Sequence, residues 1–285
     1  MKRKPDQGVV LINVLVILAL TASVVYAMVS LSDLSITRSQ RFSAASQALA
    51  LIAAGEASAI VALRRDMADA PATDHNAETW ALVGQEQVAI AGGSFLLKIV
   101  DEQRFLNLNS LPASGALGLQ MLQRIVLALE LAPDVAPRIV ARLAQQDPLV
   151  RMDDLVAEAG ITQADVLRLS ELVTVLPGRT DINLNTAPEA LLGAITDNPV
   201  QARRLGGIRE RNGFLTQADV TAAQIILPAG VGFTSRYFQV TTTVTVDGIT
   251  QTMETLLQRR PGNGGSPEVV TVSRQIPNSA ISPPP

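Results

Sequence analysis

The stretch VVLINVLVILALTASVVYAMVSL at residues 9–31 contains no charged side chain. As an α-helix it would be about 35 Å long, which is enough to cross the hydrocarbon core of a bilayer. Lys2, Arg3 and Lys4 precede it, and a positively charged flank of this kind favours the cytoplasmic side of a membrane. The sequence therefore predicts one membrane-spanning helix, with a cytoplasmic N-terminus and the rest of the chain on the other side.

A cleaved secretory signal peptide is the alternative interpretation of this stretch. The apolar part of a signal peptide usually ends after about 7 to 15 residues, at a small-x-small cleavage site. The uncharged run here is longer, which favours a retained anchor. Cleavage near Ala22 or Ala27 stays open as the alternative.

The helix is expected to continue well beyond the membrane. There is no proline between Pro5 and Pro71, and Gly55 is the only glycine in that interval after Gly8. Further along, apolar residues recur at spacings of three and four, which predicts a buried stripe interrupted by one acid. Packing on the protein's own domain and a seam for a partner helix are both open. The predicted stripe consists of Phe42, Ala45, Leu49, Ile52, Glu56, Ala59 and Leu63.

The composition excludes several classes of chemistry. The 285 residues include no cysteine and one histidine, His75, which excludes disulfide frameworks, thiolate zinc sites, iron–sulfur clusters and cysteine nucleophiles. A formal net charge of −3 provides no basic field for a polyanion, so nucleic-acid binding would need a local patch. The mean hydropathy of +0.26 is high for a chain with 17% charged residues, and the stretch 9–31 accounts for the excess.

No motif for catalysis occurs in the sequence. There is no Gly-x-Ser-x-Gly elbow, no phosphate-binding loop and no zinc-binding histidine pair. His75 lies in a polar stretch, where a surface position is more common than a catalytic one. We therefore expect a protein without catalytic residues, metal ligands or a cofactor.

Beyond residue 70 the pattern changes from strands to helices and back to strands. Alternating runs on either side of glycine-containing turns predict two β-hairpins, and a further run predicts an edge strand. These runs are 88–90 with 95–100 across Gly92-Gly93, 238–246 with 249–257 across Asp247-Gly248, and 269–272. Residues from about 104 to 230 have helical periodicity instead. The sequence therefore predicts an α+β fold in which a helical block interrupts a β unit.

A short motif occurs twice in the chain. Residues 105–112 are FLNLNSLP and residues 181–188 are DINLNTAP, so that Asn-Leu-Asn is followed by Ser or Thr and then by Pro. Motifs of this type open a helix. We predict that Asn185 or Thr186 caps the helix that begins near Pro188. The candidate residues of the two motifs are Asn107, Asn109, Asn183, Asn185 and Thr186.

The segment after the second motif resembles a helix-hairpin-helix unit of DNA-binding proteins. Such units bind phosphate through backbone amides in a glycine-containing turn. The turn here, at 196–199, is Thr-Asp-Asn-Pro, which lacks glycine and carries an acid. DNA binding is therefore not expected, although a membrane-tethered DNA-binding protein stays the alternative from another functional class. The basic residues that remain in the segment are Arg203, Arg204, Arg209 and Arg211.

The N-terminal end resembles that of type IV prepilins and pseudopilins, in which a short basic leader ends in glycine ahead of a long apolar helix. The resemblance implies that a prepilin peptidase cuts between Gly8 and Val9 and that the new N-terminus at Val9 is methylated. Most family members carry glutamate at the fifth mature position, where this sequence has Asn13. That carboxylate is taken to pair with the N-terminal ammonium of the adjacent subunit, a charge that asparagine cannot neutralise.

Minor pseudopilin K of type II secretion systems typically lacks this glutamate, and the chain resembles that group in further features. Its members are long because a helical domain is inserted into the pilin-like sheet. The resemblance implies an α+β fold in which a long N-terminal helix packs on a small antiparallel sheet with a large all-helical insertion. It also implies a subunit of the bacterial inner membrane that initiates and caps a pseudopilus tip. A minor pilin of a type IV pilus is the near alternative.

The partners implied by this resemblance are minor pseudopilins I and J, other pseudopilins, the inner-membrane secretion platform and prepilin peptidase. The expected organisation is a removed leader at 1–8, a transmembrane helix at 9–31, its amphipathic continuation at 32–70, a pilin-like β region at 71–103 and 231–275, an inserted helical domain with helix-hairpin-helix-like units at 104–230, and a disordered tail at 276–285.

Some pseudopilin K proteins bind calcium through acidic loops. Here Asp147, Asp153, Asp154 and Glu158 are candidates by residue type alone, because their spacing follows no calcium-binding loop. No metal ligand is therefore carried over to this sequence.

Overall fold

The computed structural model describes residues 6–70, 72–83, 87–145 and 147–277. Most of the predicted leader (1–8) and of the predicted disordered tail (276–285) lies outside these residues. Within them the chain forms a long N-terminal helix, an antiparallel sheet and a block of shorter helices. The predicted α+β fold is therefore confirmed.

Nine α-helices lie within the described residues. The first, α1 (Asp6–Asp69), runs for 64 residues without interruption, as the absence of proline predicts. The others are α2 (Thr79–Leu82), α3 (Leu111–Ala128), α4 (Val135–Gln145), α5 (Asp154–Ala159), α6 (Gln163–Leu169), α7 (Glu189–Thr196), α8 (Pro199–Asn212) and α9 (Gln217–Ala222).

The strands of the described residues form one five-stranded sheet and two short pairs. They are β1 (Val88–Ile90), β2 (Gly93–Asp101), β3 (Leu106–Asn107), β4 (Val173–Thr174), β5 (Ile182–Asn183), β6 (Val231–Gly232), β7 (Tyr237–Val246), β8 (Ile249–Pro261) and β9 (Pro267–Gln275). The sheet has the order β1-β2-β7-β8-β9, and every neighbouring pair is antiparallel.

Both predicted hairpins are present, at β1–β2 and at β7–β8. In the second, Asp247 and Gly248 have φ angles of 47° and 79°, the left-handed pair that a two-residue hairpin turn favours. Gly93, expected in the first turn, is instead the first residue of β2. A Cβ atom there would lie 1.8 Å from the Thr245 carbonyl oxygen, so the strand contact itself requires glycine.

The outer half of α1 packs on one face of the sheet, along a different line from the predicted stripe. Phe42 is 75% exposed and Leu49 is 51% exposed, so the chain's own sheet does not bury these two members of the predicted stripe. Small residues allow the helix to approach the sheet closely: a Cβ atom at Gly55 would lie 3.0 Å from Thr242 Cγ2. Phe42 and Leu49 therefore remain on the outer side of the helix. The buried line is Ala44, Ala48, Ile52, Gly55, Glu56, Ala59 and Leu63.

Separate hydrophobic cores lie on either side of the point where β2 ends. The core under the sheet includes Leu63, Trp80, Leu97, Phe238 and Leu257. The helices α3–α9, between β2 and β7, enclose a separate core that includes Leu108, Leu122, Ile125, Ile139, Leu155, Leu169, Leu191 and Leu205. The inserted block is thus a domain with its own core.

The prediction of an all-helical insertion needs one correction. Two parallel pairs, β3–β4 and β5–β6, tie each Asn-Leu-Asn motif to a segment that follows much later in the chain. A strand of two residues leaves no periodicity in a sequence, which is why the pattern did not predict these pairs.

Candidate functional site

The membrane-proximal half of α1 is an apolar surface that nothing in the described structure covers. Every residue from 10 to 43 is exposed, and the most apolar window of the helix has a mean hydropathy of 2.5. Among the described residues this is the one helix that is long and apolar enough to cross a membrane. The helix therefore fits a single-pass membrane anchor. Its other half carries the sheet and the inserted domain, which together we call the head.

The predicted processing site lies in the first turns of this helix. The backbone of Gly8 and Val9 is helical, and Asn13 is exposed four residues after Val9, on the same face. A carboxamide offers a donor and an acceptor but no charge. Asn13, at the fifth position of the predicted mature chain, is therefore neutral and exposed.

The first Asn-Leu-Asn motif holds two distant loops by side-chain hydrogen bonds. Asn107 Oδ1 accepts from the backbone N–H of Asn109 at 3.1 Å and of Leu176 at 3.0 Å. The Asn109 amide bonds to both backbone groups of Leu149: Oδ1 accepts from its N–H and Nδ2 donates to its carbonyl oxygen, each at 2.9 Å. The amide thus pairs with Leu149 as a neighbouring strand would.

The second motif repeats this arrangement. Asn183 Oδ1 accepts from the backbone N–H of Asn185 at 3.0 Å. The Asn185 amide bonds to both backbone groups of Leu215, accepting from its N–H at 2.6 Å and donating to its carbonyl oxygen at 3.2 Å. The two motifs therefore have the same structural role in two related helical units.

The predicted cap of α7 is wrong, because neither Asn185 nor Thr186 caps this helix. Pro188 occupies the cap position, without a side-chain hydrogen bond. The side chains expected there have long-range partners instead: Asn185 bonds to Leu215, and Thr186 Oγ1 donates to Asp101 at 2.5 Å. At this position the side chains form tertiary hydrogen bonds instead of the helix cap that the local sequence predicts.

A second repeat marks the same two units and was missed in the sequence. Residues 161–166 are ITQADV and residues 215–220 are LTQADV. In each copy the threonine Oγ1 accepts from the aspartate N–H three residues later, at 3.1 Å for Thr162 and 3.3 Å for Thr216. In the second unit this turn begins at Leu215, the partner of Asn185, whereas in the first unit Asn109 binds Leu149, twelve residues before Ile161.

The two domains meet at the carboxylate of Asp101, which is the last residue of β2 and is 1% exposed. Its Oδ2 accepts from Thr186 Oγ1 at 2.5 Å, Ser235 Oγ at 2.7 Å and Asn183 Nδ2 at 2.9 Å. Its Oδ1 accepts from the Gln103 N–H at 2.8 Å. Burial raises the pKa of Asp101, and these donors oppose that effect. We call Asp101 and its partners Gln103, Asn183, Thr186 and Ser235, together with Asp74, the junction.

Asp74 extends the junction to α1 and β8. Its Oδ2 accepts from the Ser235 N–H at 2.6 Å, and its carbonyl oxygen accepts from Asn183 Nδ2 at 2.9 Å. Arg259 of β8 bonds to the Asp74 carboxylate and, through Nη2, to Asp66 of α1 at 2.6 Å. The guanidinium of Arg259 also lies 4.4 Å from the Phe238 ring centre. One arginine therefore links the end of α1, the following loop and the sheet.

Three buried carboxylates of this region, Asp66, Asp74 and Glu78, bring oxygen atoms within 4.8 Å of one another. Arg259 already bonds to two of them, and its positive charge disfavours a cation in the same place. We therefore assign no metal to this cluster.

Glu78 has an unusual environment beside the junction. Burial raises its pKa to about 7, although Trp80 Nε1 donates to its Oε2 at 2.5 Å. Its Oε1 lies 3.4 Å from Nε2 of His75, whose pKa is lowered by burial. The His75 ring stacks on Phe214 of the inserted domain, with ring centres 4.6 Å apart. His75 is thus a packing residue between the domains.

In the hairpin between α7 and α8, the N–H groups that open α8 already have a side-chain partner. Asn198 Oδ1 accepts from the N–H groups of Val200 and Gln201 at 2.9 and 3.2 Å. Arg209 donates to the carbonyl oxygens of Leu184 and Ala187 at 2.9 and 2.7 Å and so serves the second motif. Of the basic residues singled out in the sequence, Arg203, Arg204 and Arg211 are exposed.

Three of the four acids considered for calcium already have protein partners for their carboxylates. Asp154 Oδ2 accepts from the N–H groups of Val150 and Arg151 at 2.9 and 2.8 Å. Glu158 pairs with Arg142, and Asp153 lies 3.5 Å from an Arg151 nitrogen. These carboxylates hold local turns and helices, and we assign none of them as a metal ligand.

Replacing Asn185 by alanine should destabilise the inserted domain by about 2 kcal/mol, because the buried N–H and carbonyl of Leu215 would both lose their partner. Urea denaturation of the detergent-solubilised chain measures this free energy of unfolding. Asn212→Ala, at an exposed asparagine, is the matched control and should stay within about 0.5 kcal/mol of the native chain. Equal effects of the two substitutions would contradict the assigned role of Asn185.

The raised pKa of Glu78 predicts a defined pH dependence. The folded state holds this proton more tightly than the unfolded chain, so the contribution of Glu78 to stability falls as pH rises from 4.5 to about 7. Glu78→Gln should therefore lose less thermal stability between pH 5 and pH 8 than the native chain does. Glu171→Gln, at an exposed glutamate, should retain the native pH dependence, and identical Tm profiles for all three proteins would refute the prediction.

Comparison with known proteins shows similarity to components of type II secretion systems. No protein-family model matches the chain. The chain is 26% identical over 299 residues to Type II secretion system protein K of Pseudomonas aeruginosa, an alignment that covers 90% of both proteins. It is also similar to a chain in the crystal structure of the GspK–GspI–GspJ complex from the type 2 secretion system of enterotoxigenic Escherichia coli, with a TM-score of 0.64 and 21% identity over 85% of this chain and 99% of that one.

The structural similarity supports the fold, and the sequence similarity extends over nearly the whole length of both proteins. Together with the pilin-type N-terminus, the neutral Asn13 and the helical insertion between β2 and β7, these similarities support a relationship to the minor pseudopilin K proteins of type II secretion systems.

Proposed function

We propose that this minor pseudopilin initiates and caps the pseudopilus tip in the export of folded proteins across the outer membrane. The observation that carries the proposal is the division of α1 into two halves. One half is an exposed apolar helix, and the other half packs on a head that includes a large inserted domain.

The neutral side chain of Asn13 supports the initiating role. A pilin subunit with glutamate at this position can pair with the N-terminal ammonium of the subunit ahead of it in the filament. Asparagine provides no such charge. The subunit therefore needs no preceding subunit to neutralise a carboxylate at this position. A subunit of this kind is suited to the first position.

The location of the inserted domain supports the capping role. The junction lies at the end of α1 that is remote from the membrane, since Asp66 and Asp74 contact it there. At 1.5 Å per residue, Asp66 is about 50 Å along the helix from Leu31. A domain of this size at the outer end of every subunit would hinder stacking, whereas on a single terminal subunit it would not.

The outer face of α1 supports contacts with other pilin-type helices. Phe42 and Leu49 are exposed on the half of the helix that leaves the membrane, at the spacing of one helical face. We assign this face to minor pseudopilins I and J and to other pseudopilins in the filament. Prepilin peptidase and the inner-membrane secretion platform are the partners proposed for processing and assembly.

The proposed location is the bacterial inner membrane, with the N-terminus in the cytoplasm and the head in the periplasm. The basic residues Lys2, Arg3 and Lys4 ahead of the apolar helix support this orientation. The role is assembly without catalysis, since the polar clusters described above connect structural elements to one another.

Processing by prepilin peptidase is the first test of the proposal. Co-expression with the peptidase should remove residues 1–8 and leave Val9 as a methylated N-terminus, which intact-mass spectrometry detects. Gly8→Leu, which alters the residue before the cut, should leave the chain uncut. An unprocessed Met1 in the native chain, or cleavage beyond Leu20, would contradict the assignment.

The role of Asn13 is tested by Asn13→Glu, with Asn13→Gln as the neutral control. The glutamate variant should insert into the membrane normally but initiate fewer pseudopili, because its carboxylate then requires a partner charge. Secretion of an exported protein and the number of pseudopili measure this effect, and Asn13→Gln should behave as the native chain does. Native secretion by the glutamate variant would show that Asn13 has no part in initiation.

A further inference from the structure

Two arginines of α1 lie between the membrane-spanning stretch and the head. Arg38 and Arg41 are exposed and three residues apart, so they share one face of the helix. The head begins to cover α1 only at Ala44. Within the part of the chain that the structure describes, neither guanidinium has a hydrogen bond or an ion pair with the protein. Both are therefore available to a ligand outside the chain.

The height of these arginines above the membrane matches the layer of lipid headgroups. Along the helix axis, Arg38 is about 10 Å and Arg41 about 15 Å beyond Leu31. Headgroup layers add roughly 5 to 8 Å on each side of the hydrocarbon core. Helical side chains lean towards the N-terminus, which is the membrane end of α1, and arginine extends its charged head by several ångströms along its stem. The guanidinium groups thus reach back to the lipid surface.

The charge around the pair favours an anionic ligand. Asp33 is the one acid between residues 31 and 44, and it lies five residues before Arg38, which places it on another face. Guanidinium groups form bidentate hydrogen bonds with phosphate. We propose that Arg38 and Arg41 bind the phosphate groups of anionic phospholipids in the leaflet next to the head, and so fix the depth of the subunit in the bilayer before assembly.

The proposal requires only that α1 spans a bilayer and is independent of a role at the pseudopilus tip. Each arginine near an anionic surface should increase the preference for charged lipid about fivefold. This attraction should weaken as the salt concentration rises, because salt screens exposed charges.

Because the chain has no cysteine, a single label can report on the lipids around this segment. We suggest the full chain with Ser35→Cys carrying a bimane fluorophore, reconstituted in phosphatidylcholine vesicles. Quenching by brominated phosphatidylglycerol, compared with quenching by brominated phosphatidylcholine, gives the relative binding constant of the two lipids near residue 35. Free inorganic phosphate added to the same vesicles tests whether the ligand must be a lipid.

The native arginines should give a phosphatidylglycerol preference of about fivefold or more, and Arg38→Gln with Arg41→Gln should reduce it to about one. Arg64→Gln with Arg65→Gln, on the same helix but inside the head region, is the matched control and should retain the preference. Equal quenching by both lipids in the native chain would overturn the proposal. So would a preference that survives loss of Arg38 and Arg41, or one that millimolar inorganic phosphate abolishes at constant ionic strength.

Discussion

The buried carboxylate of Asp101 is the contact on which the arrangement of the head depends. The chain leaves the sheet directly after Asp101 and returns to it at β7, whose Phe238 is paired with Asp101. The inserted domain is therefore attached through two adjacent strands, which alone would form a hinge. Thr186 and Asn183 of the inserted domain and Ser235 of the returning chain donate to the same carboxylate oxygen. A buried charge that loses such donors is costly, so the carboxylate holds the domain in one orientation.

The duplicated motif explains how the inserted domain supplies these donors. In both copies the first asparagine closes a local turn and the second pairs with a distant leucine. The copies differ in the side-chain amide of the first asparagine. Asn107 Nδ2 donates to the Gly178 carbonyl within the domain, whereas Asn183 Nδ2 donates to Asp101 in the sheet. The second copy thus keeps the structural role of the first and adds a contact between domains.

Much of the architecture could be predicted from the sequence, because it depends on local pattern. The uncharged stretch 9–31, the proline-free interval and the Asp247-Gly248 turn are properties of neighbouring residues, and α1 and the β7–β8 hairpin follow from them. The junction could not be predicted in this way. Its ion pair between Arg259 and Asp66 joins residues 193 positions apart, and Asn185 and Thr186 have side chains suited to a helix cap but are used in tertiary contacts. The line of burial on α1 was also misplaced, because close packing on the sheet selected alanine and glycine over Phe42 and Leu49.

The ion pairs beside Asp101 connect this junction to the membrane helix. Arg259 lies on β8, Asp66 lies in the last turn of α1, and Asp74 follows in the loop that also contacts Ser235. Further down the same helix, Glu56 accepts from Nε and Nη2 of Arg274, on β9, at 2.7 and 2.6 Å. Movement of α1 along its axis is therefore transmitted to the sheet at two levels and from there to the inserted domain. These links fix the head to α1 as one unit, which suits the proposed position at the pseudopilus tip.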